Sequence, residues 1–196
     1  MFDACPCFAL QGDDGQSWPL HSEQLVLQAV NDVRKLRLQA RPGAEVNPVP
    51  LESLIGGVLP SDPLDTTEQE SSIYWLAPND WLLLNPKTDI GNIRNALQAS
   101  SNGTTSLVTD VTDAYAIIDI SGRDAAAKLA EGCSVDLDDK VFPSGRYVLT
   151  RLQHLSVIIH RLDNTPRFRV LADRSVVRFL RDWLVLRASC DTVVNR

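Results

Sequence analysis

IYWLAPNDWLLLNPKTDIGNIRNALQA, residues 73–99, holds in one run the two periodicities that set the architecture. Residues 73–77 and 81–85 are short segments of aromatic and branched residues, the composition of half-buried strands. Between them stands Pro78-Asn79-Asp80. Proline presets φ and asparagine tolerates a positive φ, so the two segments read as a hairpin. The period then changes. Ile90, Ile93, Ala96 and Leu97 fall on one helical face, and Thr88 or Asp89 stands ready to cap it. Two strands joined by a tight turn and followed at once by a helix point to an antiparallel sheet with a helix laid on it.

The same grammar runs outward in both directions. Upstream, VRKLRLQA (33–40) makes a strand ended by Arg41-Pro42-Gly43, and LESLIGGVL (51–59) makes a short helical turn weakened by Gly56-Gly57. Residues 60–71 carry Pro, Asp, Thr, Glu and Ser and read as an acidic surface loop. Downstream, strands are expected at 106–111 and 115–120, a turn at Ser121-Gly122, and a helix at 123–131 with Asp124 in its first turn and Gly132 as its stop. A second hairpin covers 146–152 and 155–162, and a strand covers 167–171. A last helix, 174–187, buries Val176, Val177, Leu180, Trp183 and Leu184, with Arg174, Arg178 and Arg181 opposite. Tight connections between most strands give an α+β class, with mixed or antiparallel sheets and helices on one face. Residues 1–32 read as an irregular segment, a tail or a strap that docks elsewhere. Residues 33–113 form a first α+β half, 114–187 a second, and 188–196 a C-terminal tail.

Composition narrows the function. With 44% apolar and 22% charged residues among 196, the chain can build a real core. The net charge of −6 is divided unevenly, because eleven of the arginines lie after residue 113. They are scattered over strands and a helix rather than gathered in a block. That pattern favours a polar face or an arginine-using protein interface over a nucleic-acid arm. No apolar run reaches the ~18 residues that span a bilayer, and the N-terminus lacks the pattern of a signal peptide. A cytoplasmic protein with free thiols is the expectation.

Candidate chemistry is sparse. Ser121-Gly122 lacks the first glycine of a nucleophile elbow. His154 and His160 sit on or beside adjacent strands and could approach each other, yet no carboxylate or cysteine stands at ligand spacing, and His21 lies far upstream. Cys5-Pro6-Cys7 has one residue between its thiols where a redox motif has two. Cys133 follows a helix-ending glycine and reads as a packed thiol. Asp136, Asp138 and Asp139 form an acidic run that reads as a solvated loop. Phosphate-cradling glycine motifs are absent from the sequence. Trp75 and Trp81 flank the hairpin turn and are either core or a docking patch. The expectation is therefore a chain with no catalytic, cofactor-binding or metal-binding residues of its own.

Several of these segments, in order, resemble the gamma subunits of heterotetrameric sarcosine oxidases. WLAPNDWLLL (75–84) is similar to that family's hairpin, with Asn79-Asp80 where the family more often has Asp-Glu. DVTDAYAIIDISGRDAAAKLAEGCSVDL (110–137) resembles its strand–turn–helix block. VFPSGRYVLTRL (141–152), FRVLADRSVVRFLRDWL (168–184) and, more weakly, KLRLQARPG (35–43) extend the resemblance over about residues 33–187. It implies a distant kinship with folate-binding aminomethyltransferases and two packed ferredoxin-like units. It also implies alpha, beta and delta partners, chiefly the large alpha subunit. FAD, FMN, NAD and tetrahydrofolate would reside in those partners, and the complex would oxidise sarcosine to glycine. The alternative is a stand-alone folate-binding protein of the aminomethyltransferase kind, which would need Asp110 or Asp119 in a pocket to grip a pterin. A third reading, an arginine-faced module for another partner, predicts neither folate binding nor flavoprotein association.

Overall fold

A computed structural model describes residues 20–21, 24–41, 46–47, 49–55, 57–61, 66–68, 71–86, 88–100 and 105–190. In chain order its elements begin with β1 (Leu20–His21), β2 (Val26–Ala29), β3 (Lys35–Ala40), α1 (Val49–Ile55), β4 (Thr66–Glu68), β5 (Ser72–Ala77) and β6 (Asp80–Leu84). They continue with α2 (Ile90–Ser100), β7 (Ser106–Asp110), β8 (Tyr115–Ser121), α3 (Ala125–Ala130), β9 (Tyr147–Leu152), β10 (Leu155–Arg161), β11 (Arg167–Asp173) and α4 (Val177–Cys190). The chain divides into two compact units, one of residues 32–112, the other of residues 1–31 and 113–196.

The unit of residues 32–112 has the sheet order β4-β5-β6-β3-β7, with every neighbour antiparallel. Setting β4 aside, this is a βαββαβ chain whose first strand lies between its third and fourth, the ferredoxin-like order. Alternation along β3 sends Leu36 and Leu38 to the face where Leu51 and Ile55 of α1 and Ile93 and Leu97 of α2 pack. The hairpin read from Pro78-Asn79 is present, with Asn79 at φ 59°. Asp89 Oδ2 accepts the Gly91 N–H at 2.7 Å and starts α2. One expectation changes. The stretch 60–71 is not simply a surface loop, because Thr66–Glu68 adds an edge strand to β5 and Pro60 is buried.

The other unit has the order β1-β2-β8-β11-β10-β9, again antiparallel throughout. Here β11 enters between β8 and β10, so this unit keeps the α+β class but not the ferredoxin-like order. Its core joins Ile118 and Ile120 of β8, Phe168 and Val170 of β11, Ile159 of β10, Leu129 of α3 and Val177, Leu180 and Leu184 of α4.

Three expectations are corrected in this unit. Residues 26–29, read as part of an irregular segment, form a strand on β8 in which Leu27 is fully buried. The final helix starts at Val177 and runs to Cys190, through residues assigned to a tail. Arg181, expected on the polar face, has a side chain only 4% exposed. It stands one helical turn after Val177, on the buried stripe, where its aliphatic stem packs while Nε donates to Asp182 Oδ1 at 2.8 Å. Gly132 follows α3, as read, but it serves for space: a Cβ there would lie 2.8 Å from the Trp183 ring.

Candidate functional site

The residues singled out from the sequence divide into those the fold absorbs as structure and one cluster that it assembles. Trp81 belongs to the core. It is 5% exposed, and its Nε1 donates to the Pro60 carbonyl at 2.8 Å. Trp75 lies directly opposite it across the hairpin, half-buried against the same core. Trp81 therefore ties Pro60 to the sheet. Trp81→Phe should lower stability by about 1–2 kcal/mol, the cost of leaving a buried carbonyl without its donor. A shift in the urea midpoint at constant slope measures it.

The aspartates of the loops are engaged by their own turns. Asp110 accepts the Thr112 N–H at 2.9 Å, Asp136 that of Asp138 at 3.0 Å, and Asp138 that of Lys140 at 3.0 Å. Asp163 and Asp173 repeat the arrangement with Thr165 and Ser175. Hydrogen bonds from Thr112 hold the Asp110 carboxyl below the usual carboxylate range. The Lys140 N–H, followed by Asp139, does the same for Asp138. The acidic run 136–139 is thus a turn, and Asp110 caps one at an exposed position. Among the described residues, no group of three His, Cys, Asp or Glu side chains comes together in a metal-ligating arrangement.

Cys133 is buried. Its sulfur accepts the Val135 N–H at 3.4 Å and lies 3.8 Å from Thr150 Oγ1. Ser121 ends β8, paired with Val26 and Arg167, and Gly122 at φ 118° opens the turn after it. The two downstream histidines do not meet. His154 sits in the β9–β10 turn, whereas His160 lies six residues along β10, opposite Tyr147 and Arg169. Six residues of strand span about 20 Å. His21 lies in β1. Cys5 and Cys7 fall outside the described residues.

The assembled cluster occupies the face of the six-stranded sheet opposite α3 and α4. Register places Asp119 of β8, Arg169 of β11, His160 of β10 and Tyr147 of β9 in one row across four strands. Arg169 grips Asp119 with two bonds, Nε to Oδ1 at 2.8 Å and Nη2 to Oδ2 at 3.0 Å. Arg167 adds a third, Nη2 to Oδ2 at 3.3 Å. The Asp119 side chain is 8% exposed and that of Arg169 is 19% exposed, so the pair is largely desolvated. Three of the acceptor positions of the Asp119 carboxylate are thus taken by guanidinium donors within the sheet. The other unit has a counterpart, in which Arg37 of β3 grips Asp80 of β6 at 2.9 and 2.6 Å and Gln39 adds a bond at 3.1 Å.

His160 and Tyr147 in this row are fully buried. Burial, reinforced by the Arg169 charge and opposed by Asp119, pushes His160 from 6.5 down to about 4. Above pH 6.5 it is neutral in both folded and unfolded chains and contributes no pH dependence. Below 6.5 the unfolded chain takes up a proton that the folded chain refuses until about 4, so stability falls across that window. Between pH 7 and pH 5 the loss should be about 2 kcal/mol. The unfolding midpoint measured across that range should slope downward towards acid, and His160→Gln should remove the slope whatever it does to the baseline.

The sequence reading singled out Asp119 and His160 one at a time but not the row. Its signal was an aspartate in the otherwise apolar YAIIDI together with the alternation RFR at 167–169.

Comparison with known proteins adds a family. The model of the "Sarcosine oxidase, gamma subunit family" matches residues 51–191. A sarcosine oxidase subunit gamma from Arthrobacter sp. is 23% identical over 170 residues, covering 84% of this chain and 82% of that protein. A chain of a heterotetrameric sarcosine oxidase from Corynebacterium sp. U-96, solved with pyrrole 2-carboxylate, superposes with a TM-score of 0.76 at 22% identity, over 91% of each chain. A glycine cleavage system aminomethyltransferase T from Bartonella henselae superposes with a TM-score of 0.55 at 14% identity, over 83% of this chain but 45% of that one.

Proposed function

Because this chain belongs to the sarcosine oxidase gamma subunit family, we propose that it is a non-catalytic subunit of a multi-subunit sarcosine oxidase, acting by contact with the large subunit that carries folate and flavin. In this reading the complex demethylates sarcosine oxidatively to glycine in the cytoplasm. Its partners are the alpha, beta and delta subunits, chiefly alpha, and FAD, FMN, NAD and tetrahydrofolate belong to those partner subunits. The family match over residues 51–191 carries the proposal. The chemistry of the chain agrees with it. Asp119 and Asp80 are held by arginines, Asp110 and the acidic run are turn caps, Cys133 is packed, and His160 is kept neutral by burial. Among the described residues, these groups are engaged within the fold. A subunit of this kind would supply rigid surface, and a stable interface buries ~1,200 Å² or more in total.

Co-expression tests the proposal. The tagged chain should copurify with flavoprotein subunits, and leaving it out should reduce the yield of assembled complex and its sarcosine-dependent oxygen uptake together. Recovery of the chain as a stable monomer with no flavoprotein would overturn it, and so would full assembly without the chain. The likeness to an aminomethyltransferase favours one second reading, a stand-alone folate-binding protein. Tight calorimetric binding of tetrahydrofolate by the isolated chain would select that reading.

A further inference from the structure

We draw no further inference here: the strongest candidate, the outward face of α4 that exposes Phe179 and Leu186 one heptad apart beside Arg178 and Asp182, is an unpartnered apolar patch with nothing in the structure to show what covers it.

Discussion

Gly122→Ala should destabilise the chain by about 4 kcal/mol, through two costs that add at one atom. Gly122 has φ 118°, a region that L-residues rarely adopt, and a Cβ built there would lie 2.3 Å from the Gln24 carbonyl oxygen and 3.0 Å from the Leu25 Cα. Those atoms are backbone and cannot rotate away. Either the turn after β8 or the start of β2 must move, and β2 carries the fully buried Leu27. Gly145 separates the two costs. It too has a positive φ, 79°, but its Cβ would meet nothing within 4 Å. Gly145→Ala should therefore cost only the backbone strain, about 1–2 kcal/mol. Urea unfolding of both variants gives the comparison. Amide exchange should show Val26–Val30 losing protection first in Gly122→Ala. Equal losses in the two variants would remove the close contact from the explanation. A Gly122→Ala protein within about 1 kcal/mol of the parent would remove both terms.

This contact also marks where the sequence stopped being legible. The hairpin at 72–84 and helix α2 could be read because their signals are local: a proline and an asparagine between two apolar runs, then a 3.6-residue period. Strand β2 has a usable alternation, with Leu25, Leu27 and Ala29 facing the core. It is only four residues long, however, and lies in a stretch rich in Gly, Pro and Asp. What makes it a strand is pairing with β8, about ninety residues away, and no local pattern reports a partner at that distance. Strand β4 was hidden for another reason: its partner β5 follows next in the chain, but its own three residues are all polar and carry no apolar alternation. Arg181 misled differently. Its charge placed it on the polar face, whereas its spacing from Val177 placed it on the buried stripe, and the long stem let the spacing win.

The polar groups were legible by type but not by relation. A lone Asp119 in an apolar strand is equally an anion for a ligand or one partner of a buried ion pair, and only the register of β8 against β11 brings the arginines to it. Both arginines lie 48 or 50 residues from it. The histidines show the converse. Their places on or beside adjacent strands suggested that they could approach, but the strand direction carried His160 away from His154 and into the row with Arg169.

Asp119→Ala should cost about 4 kcal/mol, close to the Gly122 effect but for an electrostatic reason. Removing the carboxylate leaves the Arg169 and Arg167 guanidinium groups facing each other without the anion between them, and Arg169 is only 19% exposed. Desolvating a charge is tolerable while its counter-ion accepts two hydrogen bonds, and expensive once that counter-ion is gone. The intact pair need not stabilise the fold much relative to an apolar pair of similar volume, because two desolvation costs offset most of the attraction. The double substitution Asp119→Leu with Arg169→Leu should therefore recover most of what the single one loses. Asp119→Asn should fall between them, keeping shape and some hydrogen bonding without the charge. A double-mutant cycle read from urea midpoints measures the coupling, which should exceed about 2 kcal/mol for a pair bonded twice at this depth. The same variants separate structure from ligand binding. If Asp119 gripped a pterin, Asp119→Asn would abolish tetrahydrofolate binding by a chain that stays folded, and restoring stability with the Leu pair would not restore binding. If it is the sheet's buried anion, stability alone moves. Additive losses with no coupling would end the ion-pair reading, because two groups that hold one another cannot be removed independently.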